Sequence, residues 1–169
     1  VLLQEVLAGL TPHSGQRFID GTTGDGGHTA ALLESSSPDG RVLALDADPR
    51  ALDRAQRQLA VFGDRVRLVY SNFAEMATVA RQHSFIPVDG VLLDLGFSSV
   101  QLGTPGRGFS FTTEDYLGMR YDPQQFTTAH YLVNNLSPTE LADLIFRFGE
   151  ERRSRAIARA IAAARPVET

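Results

Sequence analysis

The sequence predicts a doubly wound α/β fold built on a parallel sheet, and three observations carry that expectation. Short apolar runs alternate with helical segments from residue 17 to residue 94. One run, Arg41–Asp46 (RVLALD), is apolar almost throughout, as a strand covered on both faces has to be. The first run leads straight into a glycine-rich turn, Asp20-Gly21-Thr22-Thr23-Gly24-Asp25-Gly26-Gly27-His28, at the point where such sheets receive their ligands.

Each element has its own local reason. In residues 1–10, Leu2, Leu3, Val6, Leu7 and Leu10 fall on one helical stripe. Arg17–Asp20 is a short strand, and 28–34 is expected to be helical. Asp48 caps the next helix and Pro49 takes its first position, where a missing N–H is harmless. Leu52, Ala55, Leu59 and Phe62 follow at spacings of three and four. A third strand (66–70), a helix (73–82) and a fourth strand (88–94, VDGVLLD) complete the alternation. After Gln101 the pattern changes: residues 103–125 are rich in Gly, Pro and Phe and show no period. Ser137-Pro138-Thr139-Glu140 is a capping box. It opens a helix with Leu141, Leu144, Ile145 and Phe148 on its apolar face and Gly149 at its end. Residues 150–165 form a last helix, stopped by Pro166. A sheet ending on an apolar fourth strand would leave an open edge, so further strands are expected beyond Thr169. With no Met at position 1, the chain reads as a fragment.

Composition narrows the function. With 43% hydrophobic and 21% charged residues, a globular core is expected. No apolar run approaches the roughly 18 residues of a membrane span. Cysteine is absent, which removes disulfides and thiolate metal sites and suits the cytoplasm. All 16 basic residues are Arg; without Lys, a Walker-type nucleotide hydrolase is excluded. The net charge of −4 does not announce a nucleic-acid binder. That charge lies entirely in residues 1–101, while 102–169 is neutral, so the second part is the better place to meet phosphate. His13, His83 and His130 are scattered, with no metal-ligand spacing.

Asp20, Asp46 and Asp94 each end a strand, so three carboxylates are expected to share one crevice. Asp46 stands where an acid accepts bonds from both ribose hydroxyls. Gly24, Gly26 and Gly27 can take positive φ and admit a ligand against the backbone. The dinucleotide fingerprint is broken at Thr29, and Asp25 puts an anion where a pyrophosphate would lie. A phosphate-free sulfonium nucleoside, S-adenosylmethionine, suits this charge better, because its ammonium and sulfonium are drawn to carboxylates. Asp20 and Asp25 are candidates for the ammonium side, and Asn72-Phe73 for the adenine. Asp94 is the candidate catalytic residue. A carboxylate accepting the N–H of an aromatic amine restores electron density to a delocalised nitrogen and orients its lone pair. Phe97, three residues on, could stack on a flipped base or simply pack its loop.

Taken together in order, DGTTGDGGH (20–28), LDADPRAL (45–52), SNF (71–73), LLDLGFSSVQL (92–102), RGFSF (107–111), MRYDP (119–123) and GEERRSRAIARAI (149–161) resemble the ribosomal RNA small-subunit methyltransferase H family. The resemblance implies a class I S-adenosylmethionine-dependent methyltransferase fold, a Rossmann-like doubly wound sheet whose C-terminal strands are missing here, with the start of a helical insertion. It implies a cofactor-binding domain over 1–101 and an RNA-recognition insertion over 102–169, both incomplete. It also implies S-adenosylmethionine at Gly26, Gly27, His28, Asp46, Phe73, Asp94 and Gln101. The expected reaction is methylation of a cytosine N4 amine in small-subunit ribosomal RNA. The expected partner is that RNA or the small subunit, with no metal and no membrane, and a homodimer is left open. Thr23, Asp25, Gly118 and Tyr121 depart from the family's usual pattern.

On the RNA side, Arg107 with Phe109 and Phe111 could grip phosphate and bases, or the rings could pack the insertion. Arg152, Arg155 and Arg159 at spacings of three and four form either a phosphate-tracking stripe or a solvated helix face. Two rival functions stand beside methyl transfer: a nicotinamide-dependent dehydrogenase, and a non-catalytic module that binds cofactor or RNA.

Overall fold

The computed structural model describes residues 2–169, which form two compact units, one up to Gly96 and one from Phe97 onward. The first unit is a four-stranded, wholly parallel sheet in the order β3-β2-β1-β4, with β1 at Arg17–Asp20, β2 at Arg41–Asp46, β3 at Val66–Tyr70 and β4 at Gly90–Leu92. Three of these strands have the bounds expected from sequence. The fourth is shorter at both ends. Gly90 lies where an added Cβ would stand 2.8 Å from Leu10 and 3.0 Å from Phe18. Beyond Leu92 the backbone leaves the ladder, and the N–H of Asp94 donates to the Thr22 hydroxyl instead.

Alternation along each strand separates two apolar layers. Phe18, Val42, Ala44 and Leu92 face α2 (Gly27–Ser35), α3 (Pro49–Leu59) and α1 (Leu3–Leu10) through Leu32, Leu33, Ala55, Leu59, Val6, Leu7 and Leu10. Ile19, Leu43 and Leu45 face the other way, onto Val79 and Ala80 of α4 (Met76–Gln82) and onto Phe85. The α3 cap is as expected: Asp48 accepts from the N–H of Arg50 and Pro49 follows at the first turn. Two details differ. Leu2 adopts a left-handed conformation ahead of α1 and is exposed rather than on its apolar stripe. Phe62 packs on the core from a 3₁₀ stretch after α3 (Ala60–Arg65), because Gly63 breaks the helix there.

The second unit has α5 (Ser99–Gly103), α6 (Ala129–Asn135), α7 (Pro138–Gly149) and α8 (Ser154–Ala163). The capping box on α7 is present in both directions, Ser137 to Glu140 and back. Leu141, Ala142 and Ala158 close the α7–α8 hairpin, with Leu136, Ile145 and Ile161 around them. The helix stop falls on Glu150, not Gly149: Glu150 is left-handed (φ 52°) and its N–H donates to the Phe146 carbonyl. Consequently α8 begins four residues later than expected, and Arg152 lies in the preceding turn, outside the Arg155/Arg159 face. The short helix α6, capped by Thr128, has too few turns to declare a period and goes unpredicted. No helix among the described residues is long and apolar enough to cross a membrane.

The two-layer packing predicts a graded response to truncation. Leu43→Ala, at a fully buried position in the central pair of strands, should lower unfolding free energy by about 2–5 kcal/mol. Val91→Ala, at an exposed position of β4, should change it by about 0.5 kcal/mol or less. Urea unfolding followed by circular dichroism measures both.

Candidate functional site

Strand order reverses between β1 and β4, so the crevice of this sheet opens at the carboxyl ends of those two strands. The turn after β1 is tied to each neighbour by a different residue. Gly21 extends the β1–β4 ladder, donating to the Leu92 carbonyl at 2.9 Å. The Thr22 hydroxyl accepts from the N–H of Asp94 at 2.7 Å. Thr23 donates both its N–H and its hydroxyl to the Leu45 carbonyl of β2, each at 3.0 Å. The N–H of Gly24 donates to Asp46 Oδ2 at 2.7 Å. These bonds draw the tips of β2 and β4 onto one turn.

Asp20 lies beneath that turn with no exposed surface. Its Oδ2 accepts from the Thr29 hydroxyl at 2.6 Å and its Oδ1 from the N–H of Thr22 at 3.1 Å. Burial pushes its carboxyl above the usual range; the Thr29 and Thr22 donors pull it back. The carboxylate therefore organises the turn from inside and is not open to a ligand's ammonium. Asp25 is also engaged, 2.6 Å from Arg54 of α3 in a half-exposed ion pair.

Around this frame stand the other candidates of the first unit. Asp46 is half-buried, and its Oδ1 accepts from the N–H of Asp48 at 2.8 Å while Oδ2 serves Gly24. Burial raises its carboxyl as well, against the pull of the Asp48 and Gly24 donors. The Ala47 backbone also stabilises this carboxylate, and with two lone pairs on each oxygen it keeps acceptor capacity, as a site for two neighbouring hydroxyls requires. Asp94 is more open, with His28 Nδ1 3.9 Å from its Oδ2. That separation is electrostatic contact rather than a hydrogen bond. Phe73 begins a 3₁₀ turn capped by Asn72, and its Cβ comes within 3.0 Å of where a Cβ on Gly21 would stand. Gly21 is thus the position where the turn after β3 comes against the tip of β1.

The two glycines expected at the cofactor differ. Gly26 takes φ 96° ahead of α2, and a Cβ there would stand 3.1 Å from Leu59, so this glycine serves the packing of the turn on α3. Gly27 is exposed, with nothing within 4 Å of its Cβ position. Gln101 lies in the second unit, where its side chain completes a capping box with Ser98: its Oε1 accepts from the Ser98 N–H at 2.9 Å and its own N–H donates to Ser98 Oγ at 3.1 Å. Also in that unit, Phe109 stacks near Phe97 (6.0 Å) and Tyr121 (5.6 Å), and Arg107 donates to the carbonyls of Arg120 and Tyr121. Phe109 and Arg107 therefore shape the loop, whereas the Phe111 ring is fully exposed. Among the described residues no group of three or more His, Asp or Glu side chains could hold a metal ion.

The hydrogen-bonding roles of three threonines, Thr22, Thr23 and Thr29, were not read from sequence. The available signal was their hydroxyls in and after a turn bounded by a strand-end Asp, a pattern suited to satisfying buried acceptors.

Comparison with known proteins bears on this arrangement. Residues 1–169 match the MraW methylase family. The chain belongs to the MraW methylase family. Family membership confirms the resemblance carried by the motifs, and the parallel sheet flanked by helices is the Rossmann-like class I architecture expected of it. The chain is 47% identical over 169 residues to ribosomal RNA small subunit methyltransferase H of Dehalococcoides mccartyi, covering 100% of this chain and 48% of the relative. It is 50% identical over 161 residues to the protein of the same name from Sorangium cellulosum, covering 95% and 50%. This MraW-family chain thus spans about half the length of the curated relatives it matches. Among solved structures, a putative rRNA methylase from Clostridium thermocellum aligns with 63% of this chain and 58% of its own, at 24% identity and a TM-score of 0.47.

The buried carboxylate gives a pH-dependent test. With Asp20 raised in the fold, the unfolded chain ionises first as pH rises above the ordinary value of 3.8. Stability from this group is therefore full below that pH and falls until the folded carboxyl also ionises. Asp20→Asn has no such term. Its stability relative to the unsubstituted chain should rise between pH 3.5 and pH 7, as read by urea titrations at each pH. A difference that stays flat would contradict the raised carboxyl.

Proposed function

We propose that the protein is an S-adenosylmethionine-dependent methyltransferase acting on the N4 amine of a cytosine in small-subunit ribosomal RNA, in the cytoplasm. The observation that carries this reading is the meeting of Asp46, Asp94, His28 and Phe73 around the turn after β1, within a chain of the MraW methylase family. The donor set fits the methyl donor. Asp46 offers acceptors to a vicinal diol, Phe73 an aromatic edge for adenine, and the open Gly27 leaves room beside the N-terminus of α2. A crevice rimmed by carboxylates suits a cationic, phosphate-free ligand and repels a pyrophosphate. That charge sets methyl transfer above nicotinamide chemistry.

When bound, S-adenosylmethionine supplies an electrophilic methyl on a sulfonium. Asp94 receives an N–H of the cytosine amine, which localises the nitrogen lone pair and fixes its direction. His28 stands beside Asp94, its Nδ1 3.9 Å from Oδ2. Segment 102–169 grips the RNA. Arg155 and Arg159, which with Pro138 and Thr139 line a cavity of about 200 Å³, supply two of its cations, tempered by Asp143 in the same wall.

In the full-length protein, Asp94→Ala should lower methyl transfer to small ribosomal subunits by about 10²–10⁴-fold, the range for losing a positioned proton acceptor. Asp46→Ala should instead weaken S-adenosylmethionine binding in calorimetric titration. Equal turnover in Asp94→Ala and the unsubstituted enzyme removes Asp94 from the reaction. Saturable NAD binding without S-adenosylmethionine binding overturns the assignment as a whole.

A further inference from the structure

The opposite end of the same sheet carries a second polar cluster of contrary sign. Three strands bring an arginine to their amino ends: Arg17 on β1, Arg41 on β2 and Arg67 on β3. Arg17 and Arg41 are paired in register, and Arg67 pairs with Leu43 two residues beyond Arg41. Side chains alternate along a strand, so all three share the face that carries Ile19, Leu43 and Val69. Arg65, just before β3, joins them. Together the four line a cavity of about 270 Å³ with His83, Ser84 and Phe85; Asp64 is in the same lining, and the Asp89 carboxylate accepts from the Arg17 backbone N–H at 2.8 Å.

Three of the four guanidinium groups are held by neutral partners. Arg17 donates to the carbonyls of Ser84 at 2.7 Å and Ile86 at 3.2 Å and lies 4.4 Å from the centre of the Phe85 ring. Arg65 donates to the carbonyls of Gly40 and Leu33. Arg67 lies 3.0 Å from His83 Nδ1, and since a guanidinium only donates, that nitrogen is the acceptor. Arg41 makes no side-chain hydrogen bond among the described residues. None of the four has a carboxylate within ion-pair distance among those residues. Carbonyl and imidazole acceptors fix the planes in place but leave the charge standing. The positive potential of the four accumulates in one concavity, in a chain whose net charge is −4.

We propose that this cavity is a binding site for a phosphate group, separate from the cofactor crevice and at the other end of the sheet. Fixed guanidinium forks match the spacing of two non-bridging phosphate oxygens. The group can come from an RNA backbone or from a small phosphate. The inference stands on charge and geometry alone and does not require the methyl-transfer reading.

Arg41 and Arg67 are the exposed members, and their loss leaves the carbonyl bonds of Arg17 and Arg65 intact. The test is Arg41→Gln/Arg67→Gln in the full chain, with folding checked by circular dichroism. Binding of a fluorescent single-stranded RNA is measured by anisotropy over a salt series. Binding of inorganic phosphate is followed through the arginine side-chain NMR resonances. For an RNA backbone, the slope of log affinity against log salt should fall by roughly 1.4, about 0.7 for each contact removed. For a small phosphate, the RNA slope stays and the phosphate-induced shifts vanish in the double variant. Either result supports the site. If RNA affinity, its salt slope and the phosphate response all match those of the unsubstituted protein, or if neither ligand binds the unsubstituted protein, the proposal falls. S-adenosylmethionine binding in the same samples reports on the cofactor crevice independently.

Discussion

The carboxylate of Asp20 is the constraint around which the crevice is built. A charge without solvent contact is costly unless donors reach it, and here the Thr29 hydroxyl and the Thr22 N–H do so. Those two bonds lock the beginning of α2 to the end of β1. With Thr22 fixed, its hydroxyl meets the N–H of Asp94 across the reversal in strand order, while Thr23 and Gly24 reach β2 on the other side. The outward carboxylates of Asp46 and Asp94 are held where they are because an inward one is satisfied below them.

Sheet polarity gives the first unit two chemically opposite rims. β1 begins with Arg17 and ends with Asp20; β2 begins with Arg41 and ends with Asp46. In a parallel sheet every strand points the same way, so this repeated Arg-to-Asp order gathers cations at one edge and anions at the other. An antiparallel arrangement of the same strands would have interleaved the charges. The modest net charge of the chain conceals this separation, which is why bulk charge gave no hint of a cationic cavity.

Much of the first unit could be read directly from residue pattern. β1 and β2 have the expected limits because each ends its apolar run on an Asp, and β3 (VRLVY) because apolar residues alternate along it between Arg65 and the Ser71-Asn72 turn. The capped helix at Asp48 and Pro49 and the capping box at Ser137 were equally legible, since those signals are local. What the pattern missed depends on contacts distant in sequence. Asp20 looked like a ligand-facing acid because it ends a strand, but α2 covers it through Thr29. Asp25 looked available until α3 brought Arg54 against it. Glu150 rather than Gly149 takes the left-handed position, against the glycine preference that pointed to Gly149. In the second unit, α5 and α6 span only 5 and 7 residues, too short for helical periodicity to show.

The strand order β3-β2-β1-β4 also sets a sequence of events during folding. β1 is the first of the four described strands, yet its partners lie far apart along the chain: Asp20 pairs with Ala44 on one side and with Leu92, 72 positions later, on the other. Closing the longer loop is the entropically slower step. Until it closes, the innermost strand has a bare flank and Thr22 has no Asp94 to meet. The turn after β1 is therefore tied to β4 late, and a chain halted after β3 would lack Val79, Ala80 and Phe85, which cover one face of the sheet, as well as Asp94.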